Sequence, residues 1–342
     1  MKILQIITLC ELGGAQSVVI NLANELSKNH EVIVAAGEGD GKMWNMLNKN
    51  IKQEHCQFLK RALSPINDFK TIFTFYKLYF KYKPDIIHLH SSKAGMLGRI
   101  AFPSKKIIYT VHGFDSIRLA YRKFLPIERF MQRFCKAIVG VSNYDVQNMQ
   151  HERINRRVFT IHNGLKQNNS LENITFPFFS TKKKILCIAR VAPPKRLDIF
   201  LKTAELLPEY DFIWIGNSQE IKTNQLNVHF LGNIPNAARY NNICDLFILA
   251  SDFEGLPMVI IEAMSYKKPI VASNVGGISE IVRNEENGYV VNNKAKEFAQ
   301  RIKEILEDQE LYNKFARNSY LRFENELTVE KMVNSYLELY KK

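Results

Sequence analysis

The sequence predicts an α/β protein built from two doubly wound parallel sheets, one in each half of the chain. Three observations predict it. Short apolar runs of strand length alternate with amphipathic stretches of helix length, the alternation stops at a polar segment near residues 167–181, and it then starts again. At 342 residues, with 46% hydrophobic and 24% charged residues and no biased tract, the chain suits two ordinary globular cores better than one.

In order, the first half supplies strands at 2–9, 31–36, 85–89, 106–111, 137–141 and 158–161, with helices such as 15–28 and 68–82 between them. After the polar segment, strands recur at 184–189, 211–215, 228–231, 246–249, 269–272 and 289–291. The expected division is a Rossmann-like domain over 1–170, a second over 171–325, and a last helix within 326–342. That helix has no strand left to cover and is expected to cross back to the first domain. Ligands of such sheets bind outside the carboxyl ends of the strands, which places the expected site in a cleft between two facing domains.

Several classes are excluded. The cysteines Cys10, Cys56, Cys135, Cys187 and Cys244 are odd in number, scattered, and never spaced as a metal knuckle or redox pair, so they read as reduced thiols of a cytoplasmic protein. Residues 1–10 imitate a secretory leader, but the apolar run is short, carries Gln5 and is closed by Glu11, so it reads as a first buried strand. No apolar run is long enough to span a bilayer. The net charge of +13 is one-sided: residues 1–170 hold 25 Lys+Arg against 12 Asp+Glu, and residues 171–342 hold 22 of each. With no nucleic-acid module in the sequence, an anionic lipid surface and a pyrophosphate-linked acceptor explain that asymmetry equally well.

The most informative string runs from Ser251 to Met264 and includes Glu254-Gly255-Leu256-Pro257-Met258 and Glu262. It follows the strand at 246–249 and opens a helix, with Pro257 suited to the first helical position. The amides around Gly255 to Met258 then form an anion site for a pyrophosphate at a helix N-terminus. Glu254 precedes the helix and Glu262 lies inside it, so the two carboxylates reach different parts of an elongated ligand. Two carboxylates alone fit a capped helix with a buried, ion-paired Glu better than a ligand site. The whole string, however, resembles the Glu-x7-Glu signature of glycosyltransferase family 4, the group 1 glycosyltransferases, which are retaining enzymes of the GT-B fold. The resemblance implies that Glu254 holds hydroxyls of the donor sugar and that Glu262 holds the ribose of the nucleotide.

A second element, Arg190-Val191-Ala192-Pro193-Pro194-Lys195-Arg196, is a basic loop between a strand and a helix. It resembles the family loop whose Arg and Lys bind the donor phosphates, roles that fall on Arg190 and Lys195. Ala189 and Arg196 stand where glycines are common. Gly13-Gly14, between the first strand and its helix, matches the family's Gly-Gly loop near the donor phosphate and acceptor. His112, at the end of the strand at 106–111, resembles the family histidine that contacts the donor sugar, and positioning rather than base catalysis is assigned to it. His88 and His90 share one face of a strand, but no third ligand lies nearby and a zinc site is rejected. His90, Ser91 and Ser92 are kept as acceptor-side residues. Asp252-x-Glu254 imitates a metal motif, yet the resemblance implies no metal and no cofactor beyond a UDP- or GDP-sugar substrate.

Smaller matches are His162-Asn163-Gly164, Leu231-Gly232, and Gly276-Gly277 with Glu280. Asn217, after Gly216, departs from the family pattern in the loop near the nucleotide. Phe69, Phe73, Tyr76 and Phe80 recur at helical spacing beside Lys70, Lys77 and Lys81, and residues 118–136 mix six basic residues with Phe124, Leu125, Phe130 and Phe134. Domain-packing helices explain these stretches, and so does a membrane-surface contact. The expected function is transfer of a hexosyl unit from a UDP- or GDP-sugar to a hydroxyl of a saccharide or lipid-linked acceptor in bacterial surface polysaccharide synthesis. The setting expected for it is the inner face of the cell membrane. A nucleotide-sugar epimerase of the same fold and a non-catalytic sugar-nucleotide or membrane-binding subunit are the alternatives.

Overall fold

The computed structural model of the chain describes residues 1–167 and 174–342, so the expected boundary at 170/171 lies outside the described residues. The chain divides into two compact units, Met1–Lys166 with Val329–Lys342, and Gln167–Thr328.

In the first unit the strands β1 (Lys2–Ile7), β2 (Glu31–Ala36), β3 (Lys52–His55), β4 (Ile86–His90), β5 (Ile107–Val111), β6 (Ala137–Gly140) and β7 (Val158–Thr160) form one parallel sheet in the order β3-β2-β1-β4-β5-β6-β7. β2, β4 and β5 are almost wholly buried, which is why they read as continuous apolar runs in place of an alternation. β3 has no counterpart in the expected strand set. Its sequence, Lys-Gln-Glu-His, is polar because the strand lies at the sheet edge, where charge discourages pairing with another chain. Other strand ends differ from expectation by one or two residues.

The helices of this unit are α1 (Gly14–Leu26), α2 (Pro65–Tyr82), α3 (Ser92–Ala101), α4 (Leu125–Met131) and α5 (Asn143–His151). α2 starts three residues before the expected position because Ser64 caps it, its Oγ accepting from Asn67 N at 3.4 Å, and Pro65 supplies the first turn. α3 packs against both α2 and α4, so these three helices share one layer on the sheet.

In the second unit β8 (Lys184–Ile188), β9 (Asp211–Ile215), β10 (Val228–Phe230), β11 (Leu246–Leu249), β12 (Ile270–Ser273) and β13 (Gly288–Val291) form a parallel sheet ordered β10-β9-β8-β11-β12-β13. Its helices are α6 (Leu197–Leu206), α7 (Met258–Ser265), α8 (Ile278–Ile281), α9 (Ala295–Glu307) and α10 (Gln309–Glu326). The last helix, α11 (Val329–Lys341), belongs to the first unit and packs against α1. Val329 N donates to Leu165 O at 3.0 Å, and Tyr336 and Tyr340 are buried. Both units are doubly wound Rossmann-like folds. Among the described residues no helix is long and apolar enough to cross a membrane, and all five cysteines are free and buried.

Candidate functional site

In a doubly wound sheet the crossovers reverse direction at one point, and loops diverge there to leave room for a ligand. In the second unit that point lies between β8 and β11, and the loops that follow these two strands carry the expected donor residues. The loops are zipped together by backbone: Asp252 N donates to Pro194 O at 2.9 Å and Arg196 N to Ala250 O at 3.0 Å. Lys195 Nζ consequently donates to Glu254 Oε1, which also accepts from Ser251 Oγ at 2.6 Å. The two groups expected to hold diphosphate and sugar are thus direct neighbours, although 59 positions separate them in sequence. Arg196, at a position where glycine is common, forks between Asp198 at 2.7–2.8 Å and Asp252 at 2.9 Å, and these two carboxylates hold its guanidinium firmly protonated. Arg190 is exposed and pairs with no carboxylate among the described residues, which leaves its charge for an outside anion.

The Glu254 turn rests in part on two residues that no motif marked, Ser273 and Asn293. Ser251 N donates to the buried Ser273 Oγ at 2.9 Å, that hydroxyl donates to Asn293 Oδ1 at 2.5 Å, and Asn293 Nδ2 returns to Ser251 O at 2.8 Å. Only the polar ending of an apolar strand at Ser273 hinted at this. Gly276 presses on the same turn. It has φ +58°, and a Cβ there falls 1.8 Å from the Glu254 carbonyl oxygen, while Gly277 N donates to Gly255 O at 2.9 Å.

Pro257 does not occupy the first helical position. It has an extended ψ of 120° and precedes α7 as its cap, because the chain is still turning there. The cap offers no side-chain acceptor, and Ile260 N already donates to Pro257 O at 3.2 Å, so the amides left for an outside oxygen are those of Met258 and Val259. Leu256 and Met258 bury their side chains, so neither side chain is exposed for a ligand. Glu262 lies in the second turn of α7, half-buried and without a side-chain partner among the described residues. Burial pushes its carboxyl up to about 7. Asn217 closes the loop after β9: its Oδ1 accepts from Gly232 N at 2.8 Å, and its Nδ2 donates to Gln219 O at 3.0 Å.

In the first unit the reversal lies between β1 and β4. His90 and His112 stand at the ends of the neighbouring strands β4 and β5, with His90 Nδ1 and His112 Nε2 at 3.0 Å. His88 lies against His90, with ring centroids 4.0 Å apart and the planes tilted by 36°. It bonds Tyr340 Oη at 2.7 Å and Thr110 Oγ1 at 2.7 Å, and Thr110 in turn reaches Tyr336 Oη at 2.9 Å. Burial, with the neighbouring imidazoles, holds His88 and His90 well below the usual histidine range and lowers His112 to about 4. All three are therefore neutral at physiological pH, and His112 offers a hydrogen bond rather than a charge.

The acceptor-side trio divides. His90 is fully buried and reaches a ligand only through His112. Ser92 is exposed as the first residue of α3. Ser91 holds φ +71°, a conformation that costs a non-glycine residue on the order of 1–3 kcal/mol. It is fixed by its hydroxyl, 2.7 Å from Thr8 Oγ1. Gly13 and Gly14 were expected to form a loop near the donor phosphate and acceptor, where the lack of side chains lets a ligand approach the backbone. Gly13 is extended at φ −176°, a backbone any residue adopts, but a Cβ there would fall 2.8 Å from Gln16 Oε1, whereas a Cβ on Gly14 meets nothing within 4 Å. What Gly14 provides is open space at the uncapped N-terminus of α1. Among the described residues no cluster of three or more His, Cys, Asp or Glu is arranged to hold a metal ion.

Two family models match the chain one after the other, Glycosyltransferase Family 4 over residues 12–168 and Glycosyl transferases group 1 over residues 172–322. The chain belongs to the family 4, group 1 glycosyltransferases. This glycosyltransferase is 27% identical to UDP-Gal:alpha-D-GlcNAc-diphosphoundecaprenol alpha-1,3-galactosyltransferase of Escherichia coli, with 96% of this chain and 94% of that one covered. It is 25% identical to an O-antigen biosynthesis glycosyltransferase of Escherichia coli, with 97% and 96% covered. Among solved structures, HepE from Anabaena in complex with UDP and glucose superposes with a TM-score of 0.81 at 21% identity over the whole of both chains. That likeness shows the fold of the glycosyltransferase, GT-B.

Proposed function

We propose that this glycosyltransferase moves a hexosyl unit from a UDP-sugar to a hydroxyl of a lipid-diphosphate-linked glycan in bacterial surface polysaccharide synthesis, with retention of configuration, at the inner face of an anionic membrane. The observation that carries the reading is the joined pair of loops in the second unit: Lys195 and Glu254 in contact, unpaired Arg190 beside them, and the uncapped start of α7 after Glu254. A diphosphate leaving group needs fixed positive charge as its bond to the sugar breaks, and Arg190, Lys195 and the α7 amides supply it. Glu254 then holds sugar hydroxyls and Glu262 the ribose. His112 offers a neutral hydrogen bond to the sugar.

The acceptor hydroxyl attacks from the side that the diphosphate leaves, and a donor phosphate oxygen takes its proton, so no protein nucleophile enters. UDP is favoured over GDP by the uridine nucleotides named with the Escherichia coli galactosyltransferase and with HepE. The same galactosyltransferase acts on a diphosphoundecaprenol-linked sugar, which supports the acceptor class. Because the charge on the leaving group is met by side chains and amides, chelation of divalent metal leaves transfer intact. Proton NMR of the product tests the stereochemistry: the donor's anomeric configuration is expected in the new linkage, and the opposite configuration would overturn the retaining reading.

A further inference from the structure

α2 carries two apolar faces, and only one is used within the protein. Thr71, Phe75, Leu78 and Tyr82 are buried. On the opposite side Ile66, Phe69, Phe73, Tyr76 and Phe80 follow each other at intervals of three, four, three and four residues, a straight stripe along the helix. All five are 41–71% exposed. The stripe is about 21 Å long at 1.5 Å per residue. Apolar exposure continues across the neighbouring helices of the same layer, with Ile100 on α3 and Ile127 and Phe130 on α4. Soluble proteins seldom leave so continuous an aromatic surface open without a use for it.

The charge around the stripe names its occupant. Asp68, the acid of α2, is neutralised by Lys93 at 2.6 Å, and nearby Glu54 by Lys81 at 2.6 Å. Glu152 is shared by Arg122 and Arg129. Lys70, Lys77, Lys83, Lys123 and Arg133 keep no acidic partner among the described residues. The first unit holds 28 Lys+Arg against 14 Asp+Glu, a net charge of +14, while the second holds 19 against 20, a net charge of −1. A second copy of the chain would set two such basic faces against each other. A straight helix with aromatic side chains on one face, flanked by lysines, is instead matched to the interface of an anionic bilayer, where rings enter the headgroup region and lysines meet lipid phosphates.

We propose that the outer face of α2, extended by α3 and α4, is the surface on which the protein lies on an anionic lipid bilayer, with Phe69, Phe73 and Phe80 inserted. This deepens the lipid-linked acceptor reading by stating which face meets the membrane, but its test needs neither donor nor acceptor. Co-sedimentation is measured with vesicles of phosphatidylcholine alone and with vesicles of phosphatidylcholine and phosphatidylglycerol in equal parts.

The protein is expected to bind the anionic vesicles and not the neutral ones. Phe69→Ser/Phe73→Ser is expected to weaken that binding on the order of 30-fold, and Lys70→Glu/Lys77→Glu roughly tenfold or more. Both variants alter exposed side chains and are expected to keep full transfer to a short-chain, water-soluble acceptor. Equal binding to neutral vesicles, binding unchanged by both variants, or no binding to either vesicle would overturn the proposal. The last result would leave an acidic protein as the partner of this face. Loss of transfer with vesicle binding intact would count against the transferase reading and not against this surface.

Discussion

Gly276→Ala tests how the Glu254 turn is held. Residue 276 sits at φ +58°, where an alanine costs on the order of 1–2 kcal/mol in backbone strain. Its Cβ would lie 1.8 Å from the Glu254 carbonyl oxygen, whereas real contacts begin near 3.0 Å, so one backbone must retreat by about 1.2 Å, the difference of the two. That retreat breaks the 2.9 Å bond from Gly277 N to Gly255 O and shifts Glu254 against Lys195 and Ser251. A misplacement of about 1 Å at a reacting centre costs on the order of 100-fold in rate. Turnover is read as nucleotide release at saturating donor and acceptor, and thermal melting confirms that the variant is folded. Gly14→Ala is the control, since its Cβ meets nothing within 4 Å; its melting temperature is expected to stay put while its donor KM rises. A folded Gly276→Ala enzyme with ordinary turnover would refute the reasoning.

Arg190→Ala removes an exposed cation with no carboxylate partner, so it is expected to lower turnover roughly 100-fold without lowering the melting temperature, and near-normal transfer would remove Arg190 from the diphosphate site. Glu262 titrates near 7, so its ionised fraction falls from about one half at pH 7 to about one tenth at pH 6, and the donor KM is expected to rise roughly fivefold over that step. Glu262→Gln should flatten that dependence; a KM that varies with pH in the same way in the variant would exclude the residue. His88, His90 and His112 all have folded pKa values below the unfolded value of about 6.5, so the folded state refuses protons that the unfolded chain accepts. Their contribution to stability is complete above about pH 6.5 and is lost as pH falls below it, for His112 down to about 4, at up to about 1.4 kcal/mol per pH unit for each ring. Urea unfolding followed between about pH 6.5 and pH 5 should show a shallower loss in His88→Gln than in the native chain, and equal slopes would contradict a neutral, buried His88.

The pattern of the sheets was legible because parallel strands buried on both faces write themselves as unbroken apolar runs, as 31–36 and 211–215 do. β3 was not, because an edge strand of Lys-Gln-Glu-His carries no such signal. The α2 periodicity was visible in sequence, yet Phe75 and Phe73 look alike there, and only packing shows which faces the core. In the basic stretch at 118–136, likewise, only packing separates the buried Leu125 from the exposed Phe130 and Phe134. At the site, the residues that stand at strand ends were legible through their motifs. The contact of Lys195 with Glu254 was not, since it arises from β8 and β11 lying side by side. Ser273 and Asn293 were missed for a related reason: they hold the Glu254 turn by hydrogen bonds from the end of β12 and from the segment after β13. The histidine ladder depends on α11, whose Tyr336 and Tyr340 come from the far end of the chain.

The central claim, transfer of a sugar from a nucleotide donor to a separate acceptor, is tested most directly by nucleotide release from a UDP-sugar with and without a diphosphate-lipid-linked saccharide. UDP is expected to appear in proportion to glycosylated acceptor and only slowly without it. Conversion of the donor into an epimeric nucleotide sugar without acceptor, or tight UDP binding with no release on adding acceptor across a panel of donors, would contradict the account.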